Sequence, residues 1–87
     1  MTYNIYILVS ENRKNWSYVG QTDNLKRRIR EHNLGKVKST KGMRPLKVIY
    51  TEEYKYRYSS LERENYLKSG IGREEKKQII LNYSGIV

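Results

Sequence analysis

Tyr3, Ile5, Ile7 and Val9 alternate along the chain with Asn4, Tyr6, Leu8 and Ser10. A period of two carried by β-branched and aromatic residues is the pattern of a β-strand. Because Tyr6 and Leu8 are also apolar, the centre of this strand is apolar on both faces. Trp16-Ser17-Tyr18-Val19-Gly20 returns after the polar turn Ser10–Asn15, so the two segments read as a hairpin with a loose loop. The chain has 87 residues and no cysteine. That leaves one small apolar core to hold it together and excludes disulfide staples, thiolate metal sites and cysteine nucleophiles. A single domain over residues 1–87 is expected.

Thr22-Asp23-Asn24 offers N-cap oxygens to a helix over Leu25–Leu34, which Gly35 closes. Leu25, Ile29 and His32 share one face of it, with Arg28 adjoining, while Lys26, Arg27 and Arg30 point elsewhere. Gly35–Arg44 is a basic loop carrying Lys36, Lys38, Lys41 and Arg44 with no acid, and Pro45 ends it. Leu46–Thr51 is a third strand. Ser59-x-x-Glu62 reads as a capping box that opens a second helix running to about Ser69 and stopping at Gly70. Leu61, Glu64 and Lys68 stack along that helix. A last helix, Arg73–Asn82, turns Ile79, Ile80 and Tyr83 inward. The order ββαβαα describes an α+β domain with one antiparallel sheet.

Eighteen Lys and Arg against nine Asp and Glu give a formal charge of +9. So large an excess on a small domain repels itself unless a polyanion is there to use it, and nucleic acid is the commonest such partner. A membrane surface or solubility alone are the alternatives, but no amphipathic Trp/Leu helix supports the membrane. No run of about 18 apolar residues exists to span one. Met1–Val9 has no basic region ahead of an apolar stretch, so a secretory signal is not expected and a cytoplasmic location is. The single His excludes a zinc site built on two histidines and a His–Asp–Ser triad beside other duties. No glycine-rich triphosphate loop is present, so no nucleotide cofactor is expected.

A basic domain lacking these parts either binds nucleic acid or cuts it with little machinery. Phosphodiester hydrolysis needs a base for water, positive charge on the phosphorane and help for the leaving alkoxide. A tyrosine, an arginine and one divalent cation on a carboxylate would suffice. Tyr6 and Tyr18 lie near the middle of paired strands and can share a face. Arg28 and His32 follow on one helix face, and Glu64 sits in the semi-apolar stripe of the next. Each has a plainer reading. The tyrosines can be a cross-strand aromatic pair, Arg28 a solvated helix residue, Glu64 the partner of Lys68 in an i, i+4 ion pair, and His32 a packed or capping imidazole.

Taken together in order, these segments carry a resemblance. Asn4-Ile5-Tyr6 followed by Tyr18-Val19-Gly20-Gln21-Thr22 resembles the paired motif that names the GIY-YIG endonucleases. The likeness continues through Asp23–Asn33, through Ser39-Thr40-Lys41-Gly42 with Pro45, and through Arg63-Glu64 with Leu67-Lys68. It is greatest with the small stand-alone bacterial members and more distant with the nuclease module of bacterial excision-repair endonucleases. It covers about residues 3–75. The first motif departs from the family in opening with Asn4 where Gly is usual. Gln21 is uncharged where the excision-repair module has a basic residue.

The resemblance implies a three-stranded antiparallel sheet flanked by helices, and a set of roles. Tyr18 matches the water-activating tyrosine, and Tyr6 the tyrosine that lines and supports the site. Arg28 matches the arginine on the scissile phosphate, His32 a histidine near the reacting groups, and Glu64 the acid that binds one divalent cation, Mg²⁺ or Mn²⁺. Gly20 matches a turn glycine at the strand end, and Lys41 a phosphate contact. The physics agrees with these roles. A phenol with a pKa of about 10 is a poor base unless a cation lies close. A planar guanidinium grips two phosphate oxygens at once, and a lone carboxylate suits Mg²⁺ that keeps several waters.

The expected function is a metal-dependent endonuclease cutting duplex or branched DNA by direct attack of water, leaving 3′-hydroxyl and 5′-phosphate ends, in repair or recombination. Arg27, Lys36, Lys38, Lys41 and Arg44 would hold the backbone, which orients a duplex without reading its sequence. Selection by DNA shape, or delivery by a partner protein, is therefore expected in place of sequence specificity. A monomer would nick, and cutting both strands needs a dimer or two visits. The rivals are a basic nucleic-acid-binding module that has lost the reaction and a protein-interaction domain. A binder has use for Arg28 but none for Glu64.

Overall fold

The computed structural model describes residues 1–84; the last three residues of the expected 1–87 domain lie outside it. Three strands, β1 (Tyr3–Ser10), β2 (Ser17–Thr22) and β3 (Leu46–Tyr54), form one antiparallel sheet in the order β2-β1-β3. The helices are α1 (Leu25–Asn33), α2 (Arg57–Lys68) and α3 (Arg73–Ser84), with a short 3-10 turn at Lys41–Met43 in the basic loop. The expected ββαβαα order and α+β class are what the chain adopts.

The two-faced apolar pattern of β1 explains the layering. Ile5, Ile7 and Val19 face Leu67 of α2, with Ile79 and Ile80 of α3 packed against them. On the other face Tyr6 and Leu8 meet Leu46, with Tyr18 and with Leu25 and Ile29 of α1. Ile5, Tyr6, Ile7 and Leu8 are all buried, so successive residues of one strand feed two cores on opposite sides of the sheet. Leu8 pairs with Val48 after Ile7 pairs with Tyr50, so the β1–β3 register shifts at this point.

Four local expectations are corrected. Helix α2 begins at Arg57 with Tyr56 as an N-cap that makes no side-chain hydrogen bond, so Ser59 and Glu62 form no capping box. Strand β3 runs on to Tyr54, and only Lys55 and Tyr56 separate it from the helix. Ser59 therefore falls inside the first turn. Tyr83 is not inward but 44% exposed, with the Lys47 ammonium 5.3 Å from its ring centroid. Gly20 lies within β2 rather than at a strand end, for a reason given below. By contrast α1 is capped as its sequence indicates. Asn24 Oδ1 accepts from the Arg27 amide, and Gly35 follows the C-cap with φ of 78°.

A clasp on the α2/α3 side locks β3 to both helices. Glu52 accepts hydrogen bonds from Tyr50 and Tyr54 hydroxyls and two from Arg63, at 2.9 Å each for the arginine. Arg63 also pairs with Glu75 of α3. Burial alone would raise the Glu52 carboxyl, but these donors outweigh it and hold its pKa below the ordinary value.

Candidate active site

Antiparallel register sets the tyrosines. Tyr6 pairs with Gly20 and Leu8 with Tyr18, so the two phenols are diagonal neighbours on the α1 face, with ring centroids 6.3 Å apart. A Cβ on Gly20 would stand 2.3 Å from the Tyr6 Cζ and hydroxyl. Glycine is needed here because the Tyr6 ring lies flat across its backbone, not because the chain turns. Asn4 sits in the ladder between Thr22 and Glu53, so this register forms without the glycine that usually opens the motif.

Helix α1 brings His32 under the phenols. His32 is fully buried, with its ring centroid 5.6 Å from that of Tyr6 and 5.3 Å from that of Tyr18. Its Nε2 is 2.8 Å from the Tyr6 hydroxyl and its Nδ1 is 2.8 Å from Thr40 Oγ1. The Thr40 hydroxyl donates to the Val37 carbonyl at 3.4 Å. Counting protons along this chain assigns the tautomer. Thr40 has spent its one proton and so accepts from Nδ1–H, which leaves Nε2 to accept from Tyr6. Burial, then the Arg28 charge, push the His32 pKa below the ordinary imidazole value, against a smaller pull from Glu31. The ring is thus a neutral acceptor for the Tyr6 proton.

Burial is also the largest effect on Tyr6 and pushes its phenol up to about 12. The adjacent Arg28 guanidinium opposes this rise, and Tyr18 and Glu64 add to it. Tyr6 is therefore a protonated phenol at neutral pH. Arg28 keeps 35% of its side chain exposed and holds Glu31 at 3.2 Å, so one edge of its guanidinium is directed by a carboxylate. Helix α2 completes the cluster across the β2 edge. Glu64 pairs with Lys68 at 2.9 Å, and the Lys68 ammonium lies 5.7 Å from the Tyr18 ring centroid.

The structure thus gathers Tyr6, Tyr18, Arg28, His32 and Glu64. The plainer readings of four of them hold as well: Tyr6 and Tyr18 are a cross-strand aromatic pair, Glu64 is in the i, i+4 pair and His32 is packed. Arg27 is exposed on α1 and lies 3.6 Å from Asp23 and 3.9 Å from Glu31. Lys36, Lys38, Lys41 and Arg44 are exposed on the loop after α1, and Arg44 Nε donates to the Lys41 carbonyl. Two residues of the cluster were not expected from sequence. Thr40 orients the histidine, and its signal is weak: one hydroxyl in a basic loop eight residues on. Lys68 was visible as the partner of Glu64 and within the Leu67-Lys68 likeness, with no role assigned to it.

Among the described residues no three His, Asp or Glu side chains converge on a point where a metal ion could be held by protein alone. Glu64 stands as a single carboxylate. That donor set fits a hard cation that keeps most of its water and shares phosphate oxygens, and it does not fit a protein-enclosed metal. No helix among them is long and apolar enough to cross a membrane.

A sheet of this order, with two tyrosines, an arginine and a histidine on one face and a glutamate on the next helix, defines the GIY-YIG class. The family model described as the GIY-YIG catalytic domain matches residues 2–78, and the chain belongs to that family. It is similar to proteins named UPF0213 in archaea and bacteria. The one from Haloquadratum walsbyi is 36% identical over 75 residues, covering 85% of this chain and 83% of the relative. The one from Clostridium perfringens is 34% identical over 80 residues, covering 91% and 85%. The solution NMR structure of a UPF0213 protein from Bacillus halodurans matches with a TM-score of 0.56 at 28% identity, over 92% of this chain and 83% of that one. Membership sets the chain in the nuclease superfamily, with DNA as the substrate the family implies.

Proposed function

We propose that this domain is a metal-dependent endonuclease that hydrolyses DNA phosphodiester bonds by attack of water, with little sequence specificity of its own. The observation that carries this reading is the convergence of Tyr6, Tyr18, Arg28 and His32 beside Glu64, five residues from four elements. In this reading Arg28 binds two oxygens of the scissile phosphate and stabilises charge as it develops. Tyr18, the less buried phenol, orients the attacking water and takes part in removing its proton. Tyr6 stays protonated and lines the site. His32, sealed from solvent, reaches substrate only through Tyr6 and is a positioning residue. Glu64 would hold one Mg²⁺ or Mn²⁺, which when bound supplies Lewis-acid polarisation of the phosphate and help for the leaving oxygen. Arg27, Lys36, Lys38, Lys41 and Arg44 would hold the DNA backbone on the α1 side.

One observation favours the rival, a nucleic-acid-binding module without the reaction: the Lys68 ammonium already neutralises Glu64. The magnitude of that pair makes it a weak obstacle. An i, i+4 pair with one exposed partner is worth only about 0.3–0.5 kcal/mol. A cation entering with a phosphate would displace it at little expense. The deciding experiment is cleavage of supercoiled plasmid and labelled branched DNA in Mg²⁺ or Mn²⁺ against EDTA. Tyr18→Phe and Glu64→Ala run beside the parent, with binding followed in parallel. Metal-dependent cutting that both substitutions abolish while binding persists supports the nuclease. Tight binding with no cutting on any substrate establishes the rival.

A further inference from the structure

At the hairpin end of β1–β2, the turn and helix α3 enclose a groove of about 820 Å³, which Trp16 reaches from the tyrosine side and α3 from the opposite one. Five cations line it: Arg13 and Lys14 from the turn, and Arg73, Lys76 and Lys77 from α3. No Asp or Glu lines it, and none of the five is in an ion pair among the described residues. Helix α3 has sorted its charges to achieve this. Glu75 turns to Arg63, and Glu74 accepts from Gln78. Two aromatic rings line it with the cations: Trp16, whose other side packs against Tyr6, Leu8 and Leu46, and Tyr83, which carries Lys47 near its ring. A solvated charged face does not need aromatic walls, and an apolar core does not need five unpaired cations.

We infer that this groove binds a single-stranded nucleic-acid segment, with its phosphates on the five cations and its bases against Trp16 and Tyr83. Cations interleaved with aromatic rings are what an unpaired strand requires, because its bases are free to stack on side chains. A duplex keeps its bases stacked inside and would leave the rings uncovered. An anionic lipid headgroup offers charge without a flat ring. The groove is also contiguous with the candidate site through one peptide unit. Ser17 lines the groove, and the next residue, Tyr18, projects to the other face. A strand leaving the scissile position around the hairpin end would enter it, so the groove would receive the unpaired arm of a branched substrate. The ligand class rests on the groove's own residues, and its link to cutting rests on the proposed nuclease activity.

Trp16 is the only tryptophan in the chain, so its fluorescence reports the groove. In EDTA buffer, short oligothymidylate should quench Trp16, and more weakly as salt rises. Lys76→Glu with Lys77→Glu should weaken this binding about tenfold or more. It should also flatten the slope of log K against log salt by about 1.4, as expected for two lost single-strand phosphate contacts. Lys76→Gln with Lys77→Gln should weaken binding less, which guards against a folding defect in the reversed pair. Lys26→Glu with Lys55→Glu, the same charge reversal outside both the groove and the proposed backbone contacts, should leave the quenching in place. Unchanged affinity in the α3 variants, or quenching lost in the Lys26/Lys55 variant instead, overturns the proposal. So does tighter quenching by polyglutamate or by phosphatidylglycerol vesicles. A parent protein that cuts no substrate defeats the nuclease reading alone, and the quenching still decides the groove.

Discussion

The aromatic ring of Tyr6 fills the space in which a side chain on Gly20 would stand, 2.3 Å from where its Cβ would be. Gly20→Ala therefore forces the ring off its seat and its hydroxyl away from His32. Overpacking of this kind destabilises by about 1–3 kcal/mol. Tyr6→Leu removes the obstructing atoms, so chemical denaturation of Gly20→Ala with Tyr6→Leu should give a loss smaller than the sum of the two single losses. Additive losses would mean that the ring and the glycine do not compete for this space.

The buried chain from Tyr6 through His32 to Thr40 makes stability depend on pH in a defined window. The native imidazole has a pKa below the ordinary 6.5. As pH falls below about 6.5, the unfolded chain takes up a proton that the native ring refuses, so native stability declines. Denaturation midpoints followed from about pH 7.5 to about pH 5.5 should fall, and His32→Asn should remove most of that slope. Tyr6→Phe takes away the donor to Nε2 and should destabilise by about 1–3 kcal/mol at neutral pH, the penalty for an unsatisfied buried acceptor.

Lys68 tests how the carboxylate of Glu64 is shared. Lys68→Met frees Glu64 from a pair worth about half a kcal/mol, so Mn²⁺ titration should tighten by about twofold to threefold. Glu64→Gln should abolish that binding. A tightening of a hundredfold or more would mean that Lys68 blocks the site after all, and would favour the binder over the nuclease.

Arg63 should matter for stability and not for cutting. Arg63→Met leaves Glu52 with only its two tyrosine donors and unties α2 from α3. The charged hydrogen bonds lost predict a loss of about 2 kcal/mol, read from urea denaturation. Cleavage by the folded fraction should stay within about twofold of the parent, since the hydrogen bonds of Arg63 go to Glu52 and Glu75 and to no member of the tyrosine cluster.

Much of this architecture is written locally. The alternation of Tyr3–Ser10 marks β1, and its apolar intermediates mark the two-sided burial. Asn24 and Gly35 mark the ends of α1. The spacing of Leu25, Ile29 and His32 marks the face that packs on the tyrosines. What escaped was written at a distance. Thr51, Glu52 and Glu53 break the apolar run of β3 and hide its last turn of pairing, because Glu52 is made acceptable by Arg63, eleven residues on. The Ser59 and Glu62 pair mimics a cap three residues past the true one. Gly20 looks like a turn residue until its cross-strand neighbour is known. Thr40 has no meaning as a site residue until the loop has folded back onto His32.

The strand order divides the tyrosine cluster into halves of unequal mobility. β1 is paired along both edges and β2 along one. Releasing the strand of Tyr6 breaks two ladders, whereas the strand of Tyr18 comes away when one opens. One phenol is thereby tied to the most persistent part of the molecule, together with its imidazole partner. The other rides on a strand that can breathe, beside a lysine and a glutamate on an outer helix. A DNA strand of irregular shape would then be met by a fixed wall and an adjustable one.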